Sequence, residues 1–142
     1  MNVQIKRIDN TLPLPKYETT GAAGFDIYAR ESITIAPQEV IRIPTNLVIA
    51  TPPGYMLAVS LRSSAPKKKG ISIPHGYGII DSDYCGNDDE ILLQVINHTT
   101  TPVQIEKGER IGQGVFIPIT QATWEEVNTM SANNRGGFGT TG

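Results

Sequence analysis

The stretch "PPGYMLAVSL", residues 52–61, carries the clearest signal of how this chain folds. A Pro-Pro-Gly turn is followed by residues among which Leu57, Val59 and Leu61 recur at every second position. A period of two places these side chains on one face of a β-strand, because successive side chains of a strand point to opposite faces. The stretch therefore predicts a strand over residues 55–61 that is entered from a turn.

Similar short segments run through the rest of the chain. Alternation predicts strands over 3–8, 32–35 and 39–43. Continuous apolar runs over 91–97 and 115–119 predict strands that are buried on both faces. Ten prolines and fourteen glycines provide turn signals at short intervals. Many short strands between such turns are typical of a β-barrel or β-sandwich, so we expect one all-β domain in 142 residues.

Two short segments favour a helix over a strand. In "SAPKKKG" (64–70), Ser64 can cap a single turn that has a proline near its start and ends at the glycine. Further along, Thr123-x-x-Glu126 has the spacing of a capping box and predicts a short helix before Met130. We therefore expect two brief helical segments within an otherwise β-rich chain.

Composition and charge narrow the class of protein. The net charge of −2 lacks the basic excess of a nucleic-acid binder, and the run Lys67–Lys69 is expected to be a solvated patch. No apolar run approaches the roughly 20 residues that span a bilayer, and no stretch resembles a secretory signal. The single cysteine, Cys85, excludes an internal disulfide and suits a reducing compartment. We expect a cytoplasmic protein that binds neither nucleic acid nor membrane.

Three stretches hold polar groups that a β-fold does not require. Asp26 lies in the apolar stretch "AAGFDIYA" (22–29), so it is either paired or placed in water at a strand end. "LRSSAP" (61–66) sets an arginine and two hydroxyls at a helix start, which suits either an anion cradle or a plain helix cap. Gln113, in "KGERIGQGVFIP" (107–118), must find partners in a functional site or in a structural network.

The stretch "GYGIIDSDYCGNDDE" (76–90) is the most informative of all. Its D-x-D-x-x-G start suggests an EF-hand, but Cys85 and Leu92 stand where oxygen ligands are needed, which excludes that site. Asp81 follows an apolar strand and can serve as a general base towards water if it is held in place. An acidic hairpin on the surface is the alternative.

The C-terminal stretch "NNRGGFGTTG" (133–142) ends in a formal G-x-G-x-x-G. A dinucleotide-binding fingerprint is not expected, because that motif needs a strand before it and a helix that opens at it. Residues 132–142 cannot build a core and should form a mobile segment after a folded domain of residues 1–131. A plain tail would not need Arg135 and Phe138 among its glycines.

Five of these blocks, in this order, closely resemble those of the trimeric dUTP diphosphatases, or dUTPases: "AGFDIYA", "RSS", "GIIDSDYCG", "GERIGQ" and "GGFGTTG". The resemblance spans residues 22–142 and implies a distorted jelly-roll β-barrel that assembles as a homotrimer with shared active sites. It implies hydrolysis of dUTP to dUMP and pyrophosphate, with Mg²⁺ held mainly by the triphosphate. Such an enzyme limits uracil incorporation into DNA and supplies dUMP for thymidylate synthesis.

The resemblance also assigns roles in the chemistry. Asp81 would orient a water for in-line attack on the α-phosphate, and Gln113 would help to fix that phosphate and the water. Asp26 would help to hold the water shell of the metal. Ser63 would lie near the α–β bridge, where leaving-group charge develops. The residues that would hold the phosphates are Arg62, Ser63 and Ser64.

Base and sugar would be recognised by the third block. A β-hairpin there, which includes Gly78, would offer backbone donors and acceptors that match uracil. Tyr84 would pack on the sugar where a 2′-hydroxyl would clash, so that ribonucleotides are excluded. His75 stands where the family commonly has an asparagine whose side chain bonds uracil, and a neutral imidazole offers one donor and one acceptor.

The tail would close over the nucleotide as a lid. Phe138 would stack on the uracil and Arg135 would reach the γ-phosphate. The usual family tail has its arginine five residues before the phenylalanine, whereas here Asn133 occupies that place and Arg135 lies three residues before. Further donors to phosphate would come from Gly139 and Thr140.

Two other functions stay open. A dCTP deaminase, or a bifunctional deaminase–diphosphatase, is built on the same fold but needs an additional carboxylic acid near the base to move protons. A nucleotide-sensing binding module would act through a protein partner and would not need turnover. Products formed from dCTP distinguish the first from a dUTPase, and the absence of turnover distinguishes the second.

Overall fold

The structure, a computed structural model, describes residues 1–139 and consists mainly of short β-strands. Each strand ends at a turn or at a proline- or glycine-containing connection, as the spacing of these residues predicts. In chain order the elements are β1 (Ile5–Arg7), β2 (Phe25–Tyr28), β3 (Ile33–Ile35), β4 (Val40–Pro44), β5 (Leu47–Ile49), β6 (Tyr55–Leu61), α1 (Ala65–Lys69), β7 (Ile71–Ser72), β8 (Gly78–Ile80), β9 (Leu92–Asn97), β10 (Val103–Ile105) and β11 (Arg110–Pro118).

The strands pair in four antiparallel sheets. The largest has the order β2-β11-β6-β8, and a three-stranded sheet has the order β4-β9-β7. Two smaller sheets pair β1 with β5 and β3 with β10. Their inward side chains form one apolar cluster, which includes Ile27, Ile35, Ile43, Leu57, Ile71, Leu93 and Ile105. The expected all-β class is confirmed.

Most of the predicted strands are confirmed as well. The strand over 55–61 has the predicted bounds, and the bounds of β3, β4 and β9 differ from the predicted ones by at most one residue. β1 lies inside the predicted segment 3–8 but begins two residues later. β11 begins at Arg110, well before the predicted segment 115–119. The sequence did not indicate β5, β7 and β10, because two or three residues are too few to show a period.

Burial of the two apolar strands on both faces was a wrong prediction. Along β9 the buried residues Leu93 and Val95 alternate with Leu92 and Ile96, which remain partly or largely exposed. β11 likewise leaves the residues from 115 to 118 only half-buried or exposed. An antiparallel sheet packs one face on the core, so the other face of these strands stays open in the isolated chain.

Helix α1 is present where predicted, but Ser64 does not cap it with its side chain. The backbone of Ser64 is already helical (φ −80°, ψ −17°), whereas a capping side chain requires a non-helical backbone. The helix ends as expected at Gly70, whose φ of 67° is left-handed and whose N–H bonds Pro66 O at 2.9 Å.

The second predicted helix is absent. Residues 119–127 form neither a helix nor a strand, so the capping-box prediction at Thr123 and Glu126 is wrong. Trp124 is 91% exposed, and no apolar face is packed there. A short helix is stable mainly through such packing, which explains why the local pattern was not sufficient. Within residues 1–139, no helix has the length and apolar character that a membrane span requires.

Candidate functional site

Strand β11 brings three of the five sequence blocks together. It lies between β2 and β6, and its register sets Gln113 opposite Asp26 on one side and Ser60 on the other. Gly114, next to Gln113, is required by packing, since a Cβ there would lie 2.5 Å from the ring of Phe25. The polar groups of blocks one, two and four therefore meet where β6 ends.

Asp26 is paired rather than hydrated. Its side chain is 11% exposed, and Arg62 Nε lies 3.2 Å from Oδ1. Arg110 Nη1 donates to Oδ2 at 3.1 Å. Two guanidinium groups thus compensate a buried carboxylate that would otherwise be costly. We call Asp26, Arg62, Arg110 and Gln113 the Asp26 cluster.

Sequence reasoning missed Arg110. A β-bulge shifts the register between Arg110 and Gly112, so Arg110 is opposite Tyr28 while Gln113 is opposite Asp26. Regular alternation would set residues 110 and 113 on opposite faces, and the extra residue brings both to the face of Asp26. Because alternation does not reveal bulges, only the unexplained charge in "GERIGQ" could have drawn attention to this arginine.

The end of β6 and the start of α1 extend this cluster towards further cations. Arg62 donates its backbone N–H to Ile111 O at 2.9 Å, which fixes the chain against β11. Ser63 is exposed and Ser64 is half-buried. A small cavity here is lined by Arg62, Ser64, Lys68, Lys69, Glu109 and Arg110, among others. The cations among them suit an anion with several oxygens, and Lys69 already pairs with Glu109 at 3.0 Å.

Asp81 lies in a different part of the molecule. It directly follows β8, whose Ile80 pairs with Leu57 of β6. The carboxylate is exposed, and together with Tyr55, Met56 and other residues it lines a cavity of about 430 Å³. Among residues 1–139, Asp81 forms no ion pair.

The predicted hairpin after β8 is not formed. Within the described residues β8 pairs only with β6, and residues 81–90 make turns, for example by a bond of 3.3 Å from Tyr84 N to Asp81 O. Gly86 donates its N–H to Asp89 Oδ2 at 2.7 Å. Such side-chain acceptors take backbone donors that a returning strand would need. We call residues 81–90 the Asp81 loop.

The residues expected around a base do come together beside this loop. His75, Gly78 and Tyr84 line one cavity of about 580 Å³ together with Tyr77 and residues of β4 and β9. The hydroxyl of Tyr84 donates to Glu90 O at 3.1 Å, so the hydrogen bond of this polar group is made within the loop. The ring is left as the surface that can contact a ligand.

A single chain does not bring Asp81 to the Asp26 cluster. Asp81 is one residue past Ile80 and hence level with Met56. Arg62 directly follows the last residue of β6 and lies six residues further along the chain than Met56. At a rise of about 3.3 Å per residue the two ends are separated by about 20 Å. Ser63 and Gln113 lie at the far end too, so the predicted catalytic residues form two separate half-sites.

Within the described residues, Arg135 and Phe138 join neither half-site. Phe138 is fully exposed with a φ of 52°, and Gly139 follows with a φ of 86°. Arg135 is exposed. The predicted role of Thr140 lies outside the described residues.

The protein groups do not form a metal site on their own. Within residues 1–139, no set of three or more His, Cys, Asp or Glu side chains is placed to hold a metal ion. Both oxygens of Asp26 are engaged by arginines. The described residues therefore fit a metal that is carried in by an anionic ligand better than one coordinated directly by the protein.

Comparison with known proteins identifies relatives over the whole length of the chain. The dUTPase family model matches residues 10–142. The "Deoxyuridine 5′-triphosphate nucleotidohydrolase" of Lactococcus lactis subsp. lactis is 42% identical over 132 residues, 91% of this chain and 87% of that protein.

Solved structures are similar too. The crystal structure of a dUTPase from Streptococcus mutans has 34% sequence identity and a TM-score of 0.77, covering 84% of this chain and 98% of that one. The Staphylococcus bacteriophage 80alpha dUTPase, solved with dUPNHPP, has the same fold at a TM-score of 0.87 and 24% identity, covering 99% and 98% of the two chains.

Proposed function

This chain belongs to the dUTPase family and hydrolyses dUTP, and we propose that it does so at sites formed between the subunits of a homotrimer. The products are dUMP and pyrophosphate. One observation carries the shared site: Asp81 and Arg62 stand at opposite ends of β6, about 20 Å apart. Residues that act on the same phosphate cannot be that far apart, so a second subunit must supply one of the two half-sites.

Surface features support assembly. Val40, Ile79 and Leu92 are large apolar side chains that remain substantially exposed on β4, β8 and β9. Val40 and Leu92 lie on the paired strands β4 and β9, whereas Ile79 lies on β8 of the largest sheet. Exposed apolar residues of this kind are typical of a surface that another chain covers. In three copies related by a cyclic axis, the Asp81 half-site of each subunit would face the Arg62 half-site of a neighbour.

The reaction follows from the groups at each half-site. Asp81 accepts the proton of a water and directs its oxygen in line with the α-phosphorus. A bond forms from this oxygen to the α-phosphorus, and the bond to the α–β bridging oxygen breaks. Arg62, Ser63 and Ser64 bind the phosphate oxygens, and Ser63 lies near the bridging oxygen. Positioning and charge stabilisation do most of the work.

The other residues of the Asp26 cluster assist this chemistry. Gln113 presents a side-chain amide near the α-phosphate and the water. Asp26 holds Arg62 in place through an ion pair of 3.2 Å and would help to hold the water shell of a metal. Mg²⁺, bound mainly by the triphosphate, would neutralise phosphate charge that develops during the displacement.

Recognition of the nucleotide falls to the Asp81 side and the tail. His75, Gly78 and Tyr84 line one cavity, which fits a base and a sugar. The backbone of β8 and of the turns after it, rather than a hairpin, would read the uracil edge. Residues 132–142 would act as the lid, and the exposed ring of Phe138 is free to stack on the base. The further lid contacts are those of Arg135, Gly139 and Thr140 with phosphate.

The first experiment measures pyrophosphate release from dUTP, dTTP, dCTP and UTP with and without Mg²⁺. We expect release from dUTP alone, and release that requires Mg²⁺. Ammonia formed from dCTP would show a deaminase instead, and binding of dUTP without turnover would show a nucleotide sensor. In the cell the proposed activity acts in the cytoplasm and limits uracil in DNA.

The second experiment tests the shared site. Asp81→Asn and Arg62→Gln chains, each nearly inactive alone, are unfolded and reassembled as an equal mixture. If the two residues come from different subunits, about a quarter of sites regain both by random assortment.

A matched control mixes wild-type chains with a doubly substituted chain. A shared site then leaves about a quarter of sites intact, whereas a site within one subunit leaves about half. Verified mixed trimers of the two single variants that stay inactive would refute the shared site.

A further inference from the structure

The Asp81 loop is exposed along most of its length, but its last residue is firmly held. Arg30 binds the carboxylate of Glu90 with two parallel hydrogen bonds, Nε to Oε1 at 2.9 Å and Nη2 to Oε2 at 3.0 Å. The backbone N–H of Asn46 donates to the same Oε1 at 2.7 Å. The Glu90 side chain is only 11% exposed, so these bonds are protected from water.

Arg30 and the neighbouring backbone are themselves fixed on the barrel. Arg30 donates its backbone N–H to Pro44 O at 2.8 Å, and Ile91 donates its own to Leu47 O at 2.9 Å. The hydrogen bond to Glu90 is the main reason that the pKa of Arg30 is raised, so the guanidinium stays charged. A bidentate arginine–carboxylate pair sets orientation as well as distance.

The carbonyl of Glu90 in turn positions Tyr84. The Tyr84 hydroxyl donates to it at 3.1 Å across a loop of six residues, while the ring lines the base-side cavity. Residues 81–88 are exposed, and the bond of 2.7 Å from Lys6 Nζ to Asn87 O holds the loop beyond Tyr84 and not the ring. The position of the Tyr84 ring therefore depends on the position of the Glu90 backbone.

We propose that Arg30 and Glu90 are positioning residues that hold the Tyr84 ring against the sugar and so determine how strongly ribonucleotides are excluded. The inference rests on the proposed placement of the sugar beside Tyr84. A steric barrier excludes a 2′-hydroxyl only if the ring cannot move away from it. Arg30 fixes Glu90, and the hydrogen bond from the Tyr84 hydroxyl to the Glu90 carbonyl then resists such a movement of the ring.

Glu90→Gln tests the inference, because glutamine keeps the shape of the side chain but loses the charge that Arg30 grips. The measurement is kcat and KM for dUTP and for UTP. We expect the ratio of kcat/KM values, dUTP over UTP, to fall about tenfold, mainly through better use of UTP. Tyr84→Phe, which removes only the hydroxyl, should lower the ratio in the same direction.

Two further variants make the test specific. Glu31→Gln removes the charge of a second partner of Arg30, an exposed carboxylate 2.6 Å away, and should leave the ratio unchanged. Glu90→Gln combined with Tyr84→Phe should lower the ratio little more than either change alone, because both loosen one contact chain.

An unchanged ratio in both Glu90→Gln and Tyr84→Phe would overturn the inference, even if the variants unfold at lower temperature. Such a result would show a pair that only stabilises the fold. A wild-type chain that does not hydrolyse dUTP would instead overturn the proposed function itself, so the two failures are distinguishable.

Discussion

The Asp26 cluster and the Asp81 loop each contribute one carboxylate to the same proposed reaction, yet the chain supports them in opposite ways. Asp26 lies on a strand paired with the long β11, is buried, and is held by two arginines of its own chain. Asp81 follows a strand of three residues, is exposed, and forms no ion pair within residues 1–139.

This difference separates two demands on an acidic side chain. A buried carboxylate must find its partners when the chain folds, so its contacts stabilise the fold before any ligand arrives. A carboxylate that takes a proton from water must keep its lone pairs free, so the chain leaves it open. We expect substitutions at Asp26 to affect folding, and substitutions at Asp81 to affect turnover alone.

Asp81→Asn gives the largest expected effect. Loss of the base should lower kcat for dUTP by roughly 10²–10⁴-fold, the usual contribution of a general base. The melting temperature should not change, because Asp81 is exposed and unpaired in the described part of the chain. Steady-state kinetics, calorimetric binding of dUTP and thermal melting check this. Near-normal turnover in a folded variant would refute the role of Asp81.

A chain that ends before Asn133 extends the comparison to the C-terminal tail. The truncated protein should melt at the wild-type temperature and assemble normally, because Phe138 is fully exposed. It should lose most of its activity, since the lid cannot close. Phe138→Ala should weaken dUTP binding by roughly 10- to 100-fold, the usual loss of base stacking. A clear drop in melting temperature would show that the tail belongs to the barrel.

Asp26→Asn should reverse the pattern seen at Asp81. The change leaves Arg62 and Arg110 without their buried counter-charge, so we expect the free energy of unfolding to fall by about 1–3 kcal/mol. Urea denaturation at fixed subunit concentration measures this, since assembly links stability to concentration. Asp81→Asn, measured in parallel, is the matched control. Equal stability of the two variants would remove the distinction between the regions.

Lys107→Met tests Asp9, a carboxylate intermediate between Asp81 and Asp26. It lies at the surface, as Asp81 does, but it has a cationic partner, as Asp26 does. Lys107 Nζ lies 2.6 Å from Asp9 Oδ2, and chiefly this bond, with help from Thr11, lowers the pKa of Asp9 well below its ordinary 3.8. Folded protein therefore keeps Asp9 ionised to lower pH than unfolded protein does. The stabilisation is complete above about pH 4 and is lost as the pH falls through the folded-state pKa.

The variant should accordingly melt slightly below wild type at pH 7, and the difference should shrink in melts below pH 4. This is the smallest of the four effects, because the pair is exposed to water. A difference that stays constant across the pH range would show that Lys107 acts through some contact other than Asp9.

The sequence predicted the strands and blocks whose signal is local. Alternation located β6 to the residue, and the cost of a buried charge indicated that Asp26 is paired or hydrated. The sequence did not reveal Arg110, because a bulge interrupts the alternation between that residue and Gln113. Nor could it connect Arg30 with Glu90, which lie 60 residues apart and meet only in the folded barrel.

The first predicted helix is present, but its side-chain cap and the whole second helix are absent. Ser64 has the right residue type for a cap, but its own backbone is already helical and its side chain cannot reach the free N–H groups. Thr123 and Glu126 have the right spacing, yet nothing in the described chain packs against Trp124 nearby. A local motif thus permits a structure that tertiary contacts must then support.

β6 sets the distance between two active sites in the proposed trimer. Its two ends belong to different active sites, so its seven residues fix the spacing between one site's base and the next site's phosphate ligands. One inserted residue would turn every later side chain to the wrong face, and two would shift the ends by about 6–7 Å. A bulge, such as the one between Arg110 and Gly112 of β11, would have to form to restore the faces after a single insertion. We expect this strand to tolerate substitution far better than any change of length.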